Sequence, residues 1–169
     1  VGALAVPIVE ALAQACRCQL PRDAIATLES AWCLRLVDTQ DIDAVFDRLP
    51  RRYRVLRRLL QPGAESGPET LVRLALRALG CRVKLQVAID GVGRVDMVVD
   101  GWLIVECDSK AFHSSWEQQR ADRRRDAAAA RLGYVTLRLL AEDILFRHDE
   151  TVELLRDVVR QVPRRIPRT

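Results

Sequence analysis

Apolar residues recur with two different periods along this chain, and the change of period divides it. From Leu4 to Leu60 the spacing is helical, predicting helices over Leu4–Cys16, Arg22–Leu36 and Thr39–Leu49 and a basic helical piece from Arg51 to Leu60. Thr39, followed by Gln-Asp-Ile-Asp, is the expected N-cap with acids in the first turn, and Pro21 suits a helix start. The stretch Gln61-Pro-Gly-Ala-Glu-Ser-Gly-Pro68 interrupts both periods and reads as a linker. A helical region over 1–62 is therefore expected to precede a second domain over 63–169.

That second domain opens with one more helix, Glu69–Leu79, stopped by Gly80. The period then falls to two: Val83, Leu85, Val87 and Ile89 alternate with polar residues, Asp90-Gly91 turns the chain, and Gly93–Val99 returns as a hairpin partner. Trp102–Cys107 is nearly all apolar, the pattern of a central strand covered on both faces. An alanine-rich helix over about Trp116–Leu132 ends at Gly133, and Tyr134–Leu140 is a fourth strand. A short helical turn at Ala141–Phe146, a last helix over about Glu150–Val162 and a loose tail, Pro163–Thr169, complete the chain. The expected class is α/β of the α+β kind, with a mixed central sheet.

Composition adds little beyond this. With 169 residues, 49% hydrophobic and 30% charged, the chain is long enough to bury a real core. No apolar run approaches the ~20 residues that span a bilayer, and no basic lead introduces a signal-type stretch, so no membrane partner and a cytoplasmic location are expected. A net charge of +4 decides nothing by itself, but from Arg120 to Arg138 six arginines stand against Asp122 and Asp126. Such a helix either lies along phosphates or pairs its own charges at spacings of three. Five cysteines with only two histidines give no zinc pattern and no disulfide framework.

The candidate chemistry lies between Gly93 and His113. Asp96 interrupts Val95, Met97, Val98 and Val99, and an acid inside such a strand is costly unless it is paired or metal-bound. Glu106 follows Leu-Ile-Val with the same implication. Glu106, Asp108 and Lys110 recur at every second residue, so an extended backbone projects them to one face. Together with Asp96 they make a candidate divalent-cation site; Asp108 also suits a turn with Ser109. Lys110 is one of two lysines among 25 arginines, and His113 one of two histidines. Glu69 completes Ser66-Gly-Pro-Glu, which is also a capping box.

An acid in the second strand, Glu-x-Asp in the third and the order helix, three strands, helix, strand resemble the PD-(D/E)XK nuclease superfamily, whose restriction-endonuclease-like core is αβββαβ. Ala-Phe-His113, then Arg120-Ala-Asp-Arg-Arg-Arg-Asp126, then Arg131-Leu-Gly-Tyr-Val-Thr-Leu-Arg138 resemble the very-short-patch-repair endonucleases and their bacterial relatives, over about residues 66–146. The helical stretch before them resembles the segment preceding this domain in actinobacterial proteins that carry an N-terminal winged helix. The chain begins at Val1 rather than Met, which leaves room for a missing upstream domain of that kind.

The resemblance implies a Mg²⁺- or Mn²⁺-dependent DNA endonuclease or nickase. Asp96, Glu106 and the backbone carbonyl of Cys107 would hold the metal, with Asp108 assisting. Asp108 stands where the superfamily usually has its water-activating lysine, which leaves that role to Lys110 or to His113. Arg120, Arg124 and Arg125 would position the DNA backbone, Glu69 would be the accessory acid carried on the first helix, and a homodimer is the usual arrangement for cutting both strands. The departure at Asp108 also sustains a competing reading: a catalytically inactive DNA-binding or regulatory module on a nuclease fold, in a defence or toxin-antitoxin setting. A helical protein-interaction module centred on residues 1–60 explains none of the strand acids.

Overall fold

The computed structural model describes residues 6–108 and 116–161. The chain forms two compact units, residues 1–74 and 75–169, and the division falls within one helix.

The first unit is helical: α1 (Ile8–Cys18), α2 (Pro21–Cys33), α3 (Thr39–Asp47), a 3-10 turn over Arg51–Tyr53, the single-turn α4 (Arg54–Arg57), and the first part of α5 (Gly67–Ala78). Leu12, Ile25, Leu28, Ile42, Val45 and Leu56 stand at the centre of its core. The cap of α3 is Asp38 rather than Thr39: its carboxylate accepts the Asp41 N–H at 2.9 Å while the Asp41 carboxylate accepts the Asp38 N–H at 3.1 Å. Both neighbours are good cap formers, and the acid at the third helical position selects Asp38. The predicted helix over Arg51–Leu60 is shorter, because the 3-10 turn and α4 together end at Arg57.

A buried ion pair also belongs to this unit. Arg73 Nη2 donates to Glu29 Oε1 at 2.6 Å, Thr70 Oγ1 donates to Glu29 Oε2 at 2.7 Å, and the Gln61 N–H donates to Glu29 Oε1 at 2.6 Å. Arg73 Nη1 reaches the Leu59 carbonyl at 3.1 Å. Carboxylate and guanidinium each spend their charge on the other, which is the condition for burying them.

The second unit holds the sheet, in spatial order β1 (Val83–Ile89), β2 (Gly93–Val99), β3 (Leu103–Asp108), β4 (Val135–Leu140). The first three strands are antiparallel neighbours and β4 runs parallel to β3. The parallel return requires a crossover, and α6 (Trp116–Arg131) lies in that connection. The sheet is therefore mixed, as the order of elements predicts. β3 is central, with Leu103, Ile104 and Val105 almost fully buried, and begins one residue later than its apolar run suggests. Val92, Val95, Val98, Ile104 and Ala129 form one core cluster of this unit; alanine at 129 offers α6 a small contact surface there. Gly133, at φ 86°, ends α6: its N–H bonds to Ala130 and the Tyr134 N–H to Ala129, both at 3.0 Å. After β4 come α7 (Ala141–Phe146) and α8 (His148–Arg160). The expected loose tail, Pro163–Thr169, lies outside the described residues. Among the described residues no helix is long and apolar enough to cross a membrane.

Candidate active site

The β2–β3 ladder pairs Val99 with Leu103, Val98 with Ile104 and Met97 with Val105. One step further along stand Asp96 and Glu106, where side chains replace backbone as hydrogen-bond acceptors. The Asp96 N–H donates to Glu106 Oε2 at 3.0 Å, and the Cys107 N–H donates to Asp96 Oδ2 at 2.8 Å. Each carboxylate is thus held by the backbone of the opposite strand, and the two acids are fixed side by side. Val95 and Met97, on either side of Asp96, are buried, as are Ile104 and Val105 ahead of Glu106. The apolar pattern that forms the strands therefore also holds the acids rigidly.

Glu106 is only 7% exposed. Burial pushes its carboxyl above the usual glutamate value; the Asp96 N–H opposes this, the Asp96 charge adds to it, and Arg125 and Arg138 offset only part. Arg125, on α6, is the brace. Its Nε donates to the Val92 carbonyl at 3.1 Å, and its Nη2 donates to the Arg94 carbonyl at 2.7 Å and to Glu106 Oε1 at 3.2 Å. Its contact with Asp122, one turn back on α6, is looser at 4.0 Å. These bonds commit Arg125 to β2 and Glu106, whereas Arg120 and Arg124 are exposed.

Asp108 shares a face of β3 with Glu106 but has a different partner. Arg138 on β4 donates to both Asp108 oxygens at 3.4 Å and more closely to Asp126 of α6, at 2.9 Å. The Asp126 bond holds the Arg138 guanidinium more firmly protonated than usual. The sequence reading counts Arg138 among the basic residues from Arg120 onward but gives it no place in the site; the signal for it is a lone charge in Val-Thr-Leu-Arg-Leu-Leu. Its neighbour in register on β3 is Glu106.

The structure thus joins Asp96 to Glu106 and turns Asp108 toward Arg138. Lys110 and His113 lie outside the described residues. Glu69, in the first unit, accepts the Glu65 N–H at 2.9 Å and the Ser66 hydroxyl at 2.8 Å, while Ser66 Oγ accepts the Glu69 N–H at 3.3 Å. Ser66 thus caps the Glu69 N–H at the start of α5, as in a capping box, while the Glu69 carboxylate returns to the Glu65 N–H and the Ser66 hydroxyl instead of the Ser66 N–H. Among the described residues no group of three or more His, Cys, Asp or Glu converges on one point. The oxygen donors gathered at β2 and β3 are the Asp96 and Glu106 carboxylates. The Cys107 carbonyl joins them in direction, since an extended residue presents its N–H and C=O to the same side. Carboxylate and carbonyl oxygens are the donors that hard divalent cations take.

No curated protein and no solved structure matches the chain. One family model matches residues 69–159, from the first turn of α5 to near the end of α8, and so takes in the whole sheet and the paired acids. The chain belongs to that family, REase_MTES_1575, a restriction-endonuclease-like family, and carries a nuclease-type domain.

Proposed function

We propose that the protein is a Mg²⁺-dependent DNA endonuclease or nickase, allied to the very-short-patch-repair enzymes and acting in the cytoplasm. The observation that carries the proposal is the cross-held pair Asp96 and Glu106. A buried carboxylate whose pKa is raised, beside a second carboxylate and only partly neutralised by arginine, gains from a cation and gains little otherwise. Bound there, Mg²⁺ or Mn²⁺ would supply charge neutralisation for phosphodiester hydrolysis and lower the pKa of water. Asp96 and Glu106 hold it, with the Cys107 carbonyl as the third oxygen donor. Arg125 keeps Glu106 in register with β2, and Arg138, clamped by Asp126, holds Asp108 at the margin. Lys110 and His113, two and five residues after Asp108, are the groups to orient water or protonate the leaving oxygen. Arg120 and Arg124 are exposed on α6 and suit phosphate contacts, which set register without reading bases.

One observation favours a catalytically inactive DNA-binding module instead: Asp108, at the usual lysine position, is spent on Arg138. Cleavage separates the two readings. Supercoiled plasmid incubated with the protein and Mg²⁺ or Mn²⁺ is expected to be nicked or linearised, and chelator to stop it. Asp96→Asn and Glu106→Gln are each expected to slow cleavage by at least about 10²-fold. Absence of cleavage with every metal, with DNA still bound, would establish the inactive module.

A further inference from the structure

We infer that the helical unit carries a DNA-backbone surface of its own, built from Arg51, Arg52, Arg54 and Arg58. From Arg48 to Ala64 there are six arginines and no acid. Structure sorts them by role. Tyr53, Leu56 and Leu60, spaced three and four apart, turn toward the core of the unit and seat the segment. Arg57 is fixed to α3 through Asp43 at 2.8 Å. The other four guanidinium-bearing residues of the segment 51–58 are exposed, and none forms an ion pair among the described residues.

Helical spacing places Arg51, Arg54 and Arg58 in one row, with Cβ atoms about 5–6 Å apart from turn to turn. Arg52 lies over the Tyr53 ring at 5.1 Å, which keeps its guanidinium ordered beside that row. Four cations held this close repel one another, and a polyanion relieves the repulsion. Guanidinium groups also match phosphate in a bidentate manner that ammonium cannot. A lipid surface fits less well, because the apolar face of this short segment is already turned inward and only Val55 and Leu59 stand exposed between the arginines. Choosing DNA among polyanions rests on the nuclease reading above.

Binding of the full-length chain to a labelled duplex of about 25 base pairs, in chelator and across a salt series, tests this. Each phosphate contact contributes about 0.9 to the slope of log K against log[salt]. The Arg51→Gln, Arg52→Gln, Arg54→Gln, Arg58→Gln variant is therefore expected to flatten the slope by roughly 3 to 4 and to lose at least about 10²-fold in affinity at low salt. The same positions changed to Lys should keep the slope within about one of the unaltered protein. Melting curves, expected to be unchanged at four exposed positions, confirm folding. Because binding is read in chelator, a protein that never cleaves still tests the surface. An unchanged slope in the Gln variant overturns the inference. So does a Lys variant that behaves like it, or loss of binding to phosphatidylserine vesicles with DNA binding retained.

Discussion

Glu29 and Glu106 are both buried glutamates, 2% and 7% exposed, and each meets an arginine, yet their surroundings differ in what they leave undone. Both oxygens of the Glu29 carboxylate are answered, by Arg73, itself fully buried, by the Thr70 hydroxyl and by the Gln61 N–H, and among the polar atoms of the pair Arg73 Nε is left without a partner. Around Glu106 the nearest charges include a second acid, Asp96, and the arginine contact is longer and partly open to solvent. A buried acid that is fully answered organises a fold. One left partly unanswered beside another acid is the setting in which the proposed cation would be stabilised.

The largest break in this comparison should come at Arg73. Replacing it with Met leaves the sealed Glu29 without its ion-pair partner, and chemical denaturation should show a loss of about 3–5 kcal/mol. Arg73→Met combined with Glu29→Met should recover much of it. An Arg73→Met chain as stable as the parent would show that the pair is not needed to hold the helical unit.

A smaller effect is expected at Arg125. Arg125→Gln removes up to three hydrogen bonds from a side chain that is one-third exposed, costing about 1–2 kcal/mol. Because the lost cation was lowering the Glu106 pKa, that pKa should rise further. Cleavage should then begin at higher pH than in the parent. A structural role alone would lower stability and leave the pH profile where it was.

The finest test sets the two glutamates against each other by one chemical change. Glu29→Gln should lower the melting temperature, because it removes the charge that answers Arg73. Glu106→Gln should raise it at neutral pH. The folded-state pKa of Glu106 lies above its unfolded value, so the folded protein binds the proton more tightly and the parent loses stability as pH rises from the ordinary glutamate range through the raised value. The Glu106→Gln variant escapes that loss, so the gap between variant and parent should widen with pH and close at acid pH. Divalent cation should narrow it from the other side, raising the melting temperature of the parent and not of Glu106→Gln. Equal melting temperatures across the whole pH range would show that burial of the Glu106 charge does not cost the fold stability.

The site was half legible before any coordinates. Asp96 and Glu106 stand out because each breaks an apolar run, and a strand does not carry an isolated acid without cause. The cap that Ser66 places on the Glu69 N–H was readable for the same local reason. Arg125 was not: the helix motif offers Arg120, Arg124 and Arg125 alike for phosphate, and only the packing of α6 on the sheet commits the third to Val92, Arg94 and Glu106. Asp108 illustrates the converse. Its alternation with Glu106 places both on one face, but alternation cannot say that Arg138, 30 residues later, will take it aside.

What the sequence alone determined is what short-range physics controls. Period two or period 3.6, a glycine stop, a proline start and an acid at a costly position are all decided within a few residues, and each was visible as such. What the tertiary structure decided is which charges meet. Glu29 and Arg73 are 44 residues apart, and Glu106 and Arg125 are 19 apart. No local pattern encodes such encounters, because burial removes the water that would otherwise make every charge equivalent, and only the returning chain supplies the partner.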